Sequence, residues 1–163
     1  MVVTSGGVSK GTHDVVKEAL LGLGTVSFHE VAMQPGKPQG FGTIGDDEVP
    51  IVTLPGNPVS SYISFEQFVL PAIRKLMGRR PYVRPEAEAV ITHRLPSPDG
   101  RRQFARGTLS VVDGHLAVTP VGSQGSHMIG DLAESDALIV VPESVTSVDA
   151  GETVTVLPLD EEF

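Results

Sequence analysis

Apolar residues in the first half of the chain alternate between short runs and stripes at helical spacing. The pattern predicts a strand ending at Val3, a helical stripe over 15–23, a strand over 25–33 and two short strands over 41–44 and 49–54. Gly45-Asp46-Asp47 between the last two is a hairpin-like turn signal. Because the first strand has so few residues, we expect the chain to be a fragment.

A longer helix is predicted after Pro58, since apolar residues recur at helical spacing from Val59 to Leu76 and Gly78 supplies a stop. Pro71 should kink or split this helix, because proline lacks the backbone N–H that a helix interior needs. Residues 34–40 contain Pro35, Gly36, Pro38 and Gly40, and we expect them to continue neither a strand nor a helix.

The pattern changes after the basic, proline-bearing segment 79–85, which we interpret as a linker. No convincing helix follows it. Strands are predicted over 87–95, 102–112, 115–121, 136–142 and 153–157, and turn signals lie between several of them. Short strands at this spacing indicate a small antiparallel barrel or sandwich.

Composition narrows the classes of function. The 163 residues carry a formal net charge of −8 and include no cysteine. The charge argues against a general nucleic-acid binder, and the lack of cysteine excludes disulfides, thiolate nucleophiles and Cys-based metal sites. We find no apolar run long enough for a membrane span and no secretory signal pattern. Any anionic ligand must therefore be held by local cations and N–H groups.

Two strand-to-helix turns are candidate anion sites. Pro55-Gly56-Asn57-Pro58 stiffens the chain between a predicted strand and a helix, where backbone N–H groups and the helix dipole favour negative charge. The loop from Thr4 to Asp14 is rich in glycine and hydroxyls, which suits phosphate, although a simple connecting turn is an alternative. Asp14 beside such a loop would suit Mg²⁺, which is often held by a carboxylate and substrate phosphates.

Three further features point to an oxyanion. Lys37 stands between Gly36 and Pro38 and is either a positioned cation or an ordinary surface lysine. Arg106 lies mid-strand beside Gly107, where an arginine usually faces solvent. The loop 122–127 combines glycine with Ser123 and Ser126. Neither a serine triad nor a histidine metal site is supported, since the sequence has no G-x-S-x-G elbow and no paired histidine spacing.

Five segments in register resemble the C-terminal part of the MoeA/gephyrin E-domain family, the molybdopterin molybdenumtransferases. They are Thr4 to Asp14, Gln34 to Pro38, Leu54 to Ser60, Phe104 to Gly107 and Gln124 to His127. The resemblance implies most of an α/β molybdopterin-binding domain, truncated at its N-terminus, over about residues 1–80, and a small all-β barrel domain over about residues 86–163.

The same resemblance implies an activity: molybdate is inserted into adenylylated molybdopterin, giving molybdenum cofactor and AMP. Lys37, Arg106 and Asp14 would be the catalytic residues, and Asp14 would help to hold Mg²⁺. Ser5, Gly6, Gly7 and Ser9 would bind the phosphates of the pterin nucleotide. Pro38 and Ser126 would complete a molybdate pocket between the domains. Pro55, Gly56, Asn57 and Pro58 would shape the floor of the cleft and, with Ser60, would be further substrate-binding residues.

The resemblance also implies a cytoplasmic protein that is a homodimer at full length and contacts other molybdenum-cofactor biosynthesis proteins. We expect the present chain alone to be inactive or nearly so. Some relatives carry lysine where Glu30 and Gln34 stand here, which removes positive charge near the expected molybdate site. Two alternatives stay open: a non-catalytic molybdopterin-binding scaffold, and a molybdopterin adenylyltransferase-like protein that shares only the α/β domain.

Overall fold

The computed structural model describes residues 1–7, 15–125 and 128–159. It divides the chain into two units: residues 1–31 with 36–82 form the first, and residues 32–35 with 83–163 form the second. Among the described residues, no helix is both long and apolar enough to cross a membrane.

The elements follow one another in this order up to residue 76: β1 (Val2–Ser5), α1 (Val15–Leu23), β2 (Val26–Glu30), β3 (Met33–Gln34), β4 (Pro38–Ile44), β5 (Val49–Leu54), α2 (Pro58–Ser64), a π-helical turn (Phe65–Val69) and α3 (Leu70–Leu76). From residue 87 they are β6 (Ala87–Ile91), β7 (Leu95–Pro96), β8 (Arg102–Val112), β9 (His115–Pro120), α4 (Ile129–Ala133), β10 (Ala137–Val141), β11 (Ser147–Val148) and β12 (Thr153–Pro158).

A four-stranded sheet in the order β1-β5-β4-β2 organises the first unit. Strand β1 runs parallel to β5, whereas β4 is antiparallel to both of its neighbours. The predicted hairpin at residues 45–47 is confirmed: it joins β4 to β5, and Gly45 has a φ of 72°, which glycine adopts without steric cost. The predicted α/β character of this part of the chain is confirmed.

The expectation that residues 34–40 lie outside regular structure holds for residues 35–37 and is wrong at both ends of the segment. Met33 and Gln34 form β3, and β4 begins at Pro38. Proline is tolerated as the first residue of a strand, because the missing N–H is not needed there. Strand β4 requires glycine at position 40, because a Cβ there would collide with the Phe28 ring and the Thr53 hydroxyl. The predicted strand 25–33 is correspondingly shorter, and β2 ends at Glu30.

The helix predicted after Pro58 forms, and Pro71 shapes it without ending it. The π-helical turn ends at Val69, two residues before Pro71, and the Leu70 N–H donates to the Phe65 carbonyl, five residues back. A wider turn relieves the clash that a proline ring makes with the carbonyl four residues earlier. Val59, Ile63 and Val69 are buried as the stripe predicted, although Leu76 is exposed.

A closed five-stranded barrel forms the second unit. The ring runs β10-β12-β6-β9-β8 and closes through the pairing of β10 with β8. All pairs in the ring are antiparallel except β6 with β9. The predicted all-β barrel is therefore confirmed. Its interior is filled by small and branched apolar side chains, among them Ile91, Val118, Ile139, Val141 and Val156, all with no exposed surface.

Two expectations for the second half are wrong. The strand predicted over 87–95 stops at Ile91, and Leu95–Pro96 instead forms the separate strand β7, which pairs with β11. A short helix, α4, was not predicted. It has five residues, including Gly130, and is too short to show helical periodicity.

Candidate functional site

In the first unit, the turns after the parallel strands β1 and β5 lie side by side. The strands are in register to their ends, where Ser5 pairs with Leu54. Gly6 and Gly7 follow with φ values of 86° and 77°, and the Gly6 N–H donates to the Leu54 carbonyl at 3.0 Å. Ser5, Gly6 and Gly7 therefore share one sheet edge with the turn 55–58, at the carboxyl ends where ligands of parallel sheets bind.

Contact between these turns explains the need for glycine at position 56. A Cβ at Gly56 would lie 3.2 Å from the Gly6 Cα, which is tighter than most real Cβ contacts. Nearby, the Ser5 and Ser61 hydroxyl oxygens lie 3.2 Å apart, within hydrogen-bond distance. The glycines thus let two backbones approach closely and place hydroxyls at the same edge.

The turn between β5 and α2 has its predicted form. Asn57 is the N-cap with extended backbone angles, and Pro58 occupies the first position of the helix. The Asn57 carbonyl accepts from the Ser61 N–H at 2.8 Å, which starts the helical hydrogen bonding. Pro55 and Ser60 are buried, so both support the turn from inside the unit.

Lys37 precedes β4 and pairs with a carboxylate of its own unit. Its Nζ lies 2.9 Å from Glu30 Oε2, and the two side chains are 44% and 50% exposed. An ion pair this open to solvent is weak. The Glu30 carboxylate nevertheless lies beside the Lys37 ammonium, which we expected to bind molybdate. Gln34 lies in the second unit, where its side-chain oxygen accepts from Arg101 Nη1 at 3.0 Å.

Three predicted site residues, Ser9, Asp14 and Ser126, lie outside the described residues. Across residues 1–7, 15–125 and 128–159, no group of three or more His, Asp or Glu side chains is placed to hold a metal ion. Lys37 with Pro38 and Arg106 belong to different units, so the pocket that they were expected to share stays a prediction.

Arg106 on β8 is the most unusual residue of the second unit, because it has no exposed surface. Its Nη2 donates to the Gly125 carbonyl at 3.2 Å, whereas Nε and Nη1 have no hydrogen-bond partner among the described residues. Burial lowers the pKa of Arg106 from its ordinary value, and the Asp131 carboxylate partly offsets this. Buried donors without partners are costly, and an anion would satisfy them.

Gln124 fixes the backbone of Arg106. Its side-chain oxygen accepts from the Arg106 N–H at 2.7 Å, and its Nε2 donates to the carbonyls of Arg106 and Val121 at 2.9 and 2.7 Å. The carboxamide thus bridges β8 to the chain just after β9 has ended at Pro120. In the sequence, the loop 122–127 was a candidate site because of its glycines and hydroxyls, and this pattern did not indicate a role for the Gln124 carboxamide.

Asp131 on α4 was also missed. Its Oδ2 lies 3.8 Å from Arg106 Nη2, and its side chain is 17% exposed. A Cβ at Gly122, which has a φ of 61°, would collide with this carboxylate. Only glycine therefore leaves room for the acid. No sequence signal pointed to the pair, because it joins β8 to a helix that was not predicted.

Two family models match the chain and leave only residues 76–87 and the last four residues unmatched. The model described as "Probable molybdopterin binding domain" covers residues 1–75, and "MoeA C-terminal region (domain IV)" covers residues 88–159. The order of the two matches agrees with the order of the two folds. The chain belongs to the MoeA/gephyrin family.

Relatives of this MoeA/gephyrin-family chain agree along nearly its whole length. "Molybdopterin molybdenumtransferase 2" of Mycobacterium tuberculosis is 44% identical over 98% of the chain, and "Molybdopterin molybdenumtransferase" of Haemophilus influenzae is 40% identical over 98%. A solved MoeA structure from Pyrococcus horikosii superposes with a TM-score of 0.77 at 31% identity, over 99% of this chain and 38% of that one. The chain spans about 40% of the length of these curated relatives.

Proposed function

We propose that the chain acts in molybdenum cofactor biosynthesis, in the insertion of molybdate into adenylylated molybdopterin with release of AMP. The observation that carries this proposal is the buried Arg106 guanidinium, which has two donors without partners among the described residues. Relatives that match along nearly the whole chain are named molybdopterin molybdenumtransferase, which supports the same reaction.

Molybdate suits such a site because it is a dianion with oxygen acceptors on every side. Charge-assisted hydrogen bonds from a planar guanidinium are short, directional and stronger than bonds between neutral groups. Gly125 accepts from the Arg106 guanidinium and Gln124 holds the Arg106 backbone, so both the strand and the side chain are positioned before an anion binds. Its contribution would be to orient the anion and to balance its charge, while the dithiolene of molybdopterin supplies the sulfur ligands.

The expected α/β domain over about residues 1–80 would bind the pterin nucleotide. Ser5, Gly6 and Gly7 share a sheet edge with the turn 55–58, which offers hydroxyls and closely approached backbone to phosphate groups. Ser9 would join this edge, and Asp14 is the expected ligand of Mg²⁺, which would neutralise phosphate charge. Mg²⁺ itself rests on the family resemblance.

The expected barrel domain over about residues 86–163 would supply Arg106 and Ser126 to molybdate, and Lys37 with Pro38 would complete the pocket. Glu30 pairs with Lys37 at 2.9 Å and would weaken its part in anion binding. Homodimerisation of the full-length protein, contact with other cofactor-biosynthesis proteins and a cytoplasmic location complete the proposal.

The alternatives differ in what they require of the second unit. A protein like a molybdopterin adenylyltransferase needs no counterpart of residues 88–159, which match the MoeA C-terminal region. A pure scaffold would bind neither molybdate nor the pterin nucleotide. Binding of molybdate therefore separates the proposed function from both.

Calorimetric titration of molybdate into the 163-residue chain tests the proposal. We expect saturable binding that Arg106→Lys weakens at least about tenfold, because lysine keeps the charge but loses the fork of donors. Arg94→Lys, at an exposed residue of the same unit, is the matched control and should bind as the wild type does. Circular dichroism verifies that each variant is folded. Absence of saturable binding by the wild type would overturn the proposal, as would unchanged binding by folded Arg106→Lys.

A further inference from the structure

The ion pair between Arg106 and Asp131 has an unusual geometry. Asp131 Oδ2 lies 3.8 Å from Arg106 Nη2, which is too long for a hydrogen bond. Oδ2 is itself buried and has no hydrogen-bond partner among the described residues. The Asp131 carboxylate therefore offsets the charge of Arg106 without accepting a hydrogen bond from any Arg106 N–H group.

Glycine at position 122 leaves room for the carboxylate in that place. Gly122 has a φ of 61° and lies so close that any Cβ there would collide with the acid. The Asp131 side chain keeps 17% of its surface exposed, whereas Arg106 has none. The acid is thus the part of this pair that solvent, and an incoming anion, can reach.

From this geometry we infer that Asp131 is a resident counter-charge for Arg106, which competes with the oxyanion substrate and lowers its affinity. The inference rests on the proposed function. A buried guanidinium with no opposite charge nearby would be strongly disfavoured, so the ligand-free protein gains from Asp131. When a dianion binds to the free donors of Arg106, the same carboxylate repels it. Asp131 acts through Arg106 and is not itself a catalytic residue.

Whether replacement of Asp131 strengthens or weakens molybdate binding distinguishes a counter-charge from a purely structural contact. Replacing Asp131 by asparagine keeps the shape beside Gly122 and removes one negative charge. Because Asp131 Oδ2 lies 3.8 Å from Arg106 Nη2, a dianion on the free donors of Arg106 would lie within one Debye length (about 10 Å) of this carboxylate, where charges interact appreciably. Asp131→Asn should therefore bind molybdate at least about tenfold more tightly, equivalent to about 1.4 kcal/mol. Loss of a structural contact would instead weaken binding.

The test is titration of sodium molybdate into the wild-type chain, Asp131→Asn and Glu134→Gln at constant ionic strength. Glu134 is exposed at the C-terminal end of α4, so its variant removes the same charge from the same helix and should bind as the wild type does. Thermal unfolding of each variant, with and without molybdate, gives a second reading of affinity that includes any loss of stability.

Equal or weaker binding by Asp131→Asn, while the wild type binds, overturns this inference and leaves the proposed function standing. Equal tightening by Glu134→Gln also overturns it, because the effect would then be one of net charge. Absence of binding by both the wild type and Asp131→Asn overturns this inference and the proposed function together.

Discussion

Removal of the Gln124 side chain should destabilise the second unit by an amount that follows from its hydrogen bonds. The carboxamide makes three, at 2.7, 2.9 and 2.7 Å, to the backbone of Arg106 and Val121. At about 0.5–1.5 kcal/mol for each of the three hydrogen bonds, Gln124→Ala should lower the free energy of unfolding by about 1.5–4.5 kcal/mol. The larger values apply if water does not reach the Arg106 N–H that is left behind.

Urea unfolding followed by circular dichroism measures this change. Ser123→Ala alters the neighbouring exposed residue of the same loop and should change the unfolding free energy by less than about 0.5 kcal/mol. If Gln124→Ala were as stable as Ser123→Ala, the carboxamide would contribute nothing, and the view that it holds the Arg106 backbone in place would be refuted.

Two further predictions concern the sheet edge of the first unit and an ion pair of the second. Gly56→Ala should push the turn 55–58 away from Gly6, because the new Cβ would lie 3.2 Å from the Gly6 Cα. We therefore expect AMP to bind several-fold more weakly to this variant in a titration. Unchanged binding would argue against this sheet edge as the phosphate site. The pKa of Glu143 is lowered from 4.5 by a hydrogen bond from its own backbone and by Arg102, so its stabilisation is present above that value and is lost as the pH falls through the lowered pKa. Glu143→Gln should therefore be less stable than the wild type at about pH 7, and the difference should shrink as the pH falls below 4.5. Thermal unfolding measures both, and a difference that does not change with pH would contradict this.

Local patterns were sufficient to predict most of the fold. Strands β8, β9 and β12 were found within one residue of their observed bounds, because each alternates or runs apolar between clear turn signals. The hairpin at Gly45 needed only its turn residues. Closure of the barrel could not be predicted from local sequence, because it depends on the pairing of β10 with β8, whose residues lie far apart in sequence.

The features of the candidate site that were missed are also long-range. Arg106 was expected to be solvent-facing on local grounds, yet it is fully buried, and its guanidinium meets Gly125 and Asp131, which lie far from it in sequence. Asp131 could not be identified from the sequence, because its five-residue helix is too short to show a helical pattern. Glu30 was expected to remove positive charge where some relatives have lysine, and the structure adds that it pairs directly with Lys37.

The most direct test of the central claim is observation of the Arg106 guanidinium itself during a molybdate titration. Arginine labelled with ¹⁵N makes each Nε–H visible by NMR, and Arg106→Lys identifies the signal of interest by its loss. Because Arg106 Nε has no partner among the described residues, we predict that saturating molybdate, but not chloride, shifts this signal strongly. An Arg106 Nε–H signal that does not move at saturating molybdate would contradict the assignment of this residue as the receptor for the oxyanion.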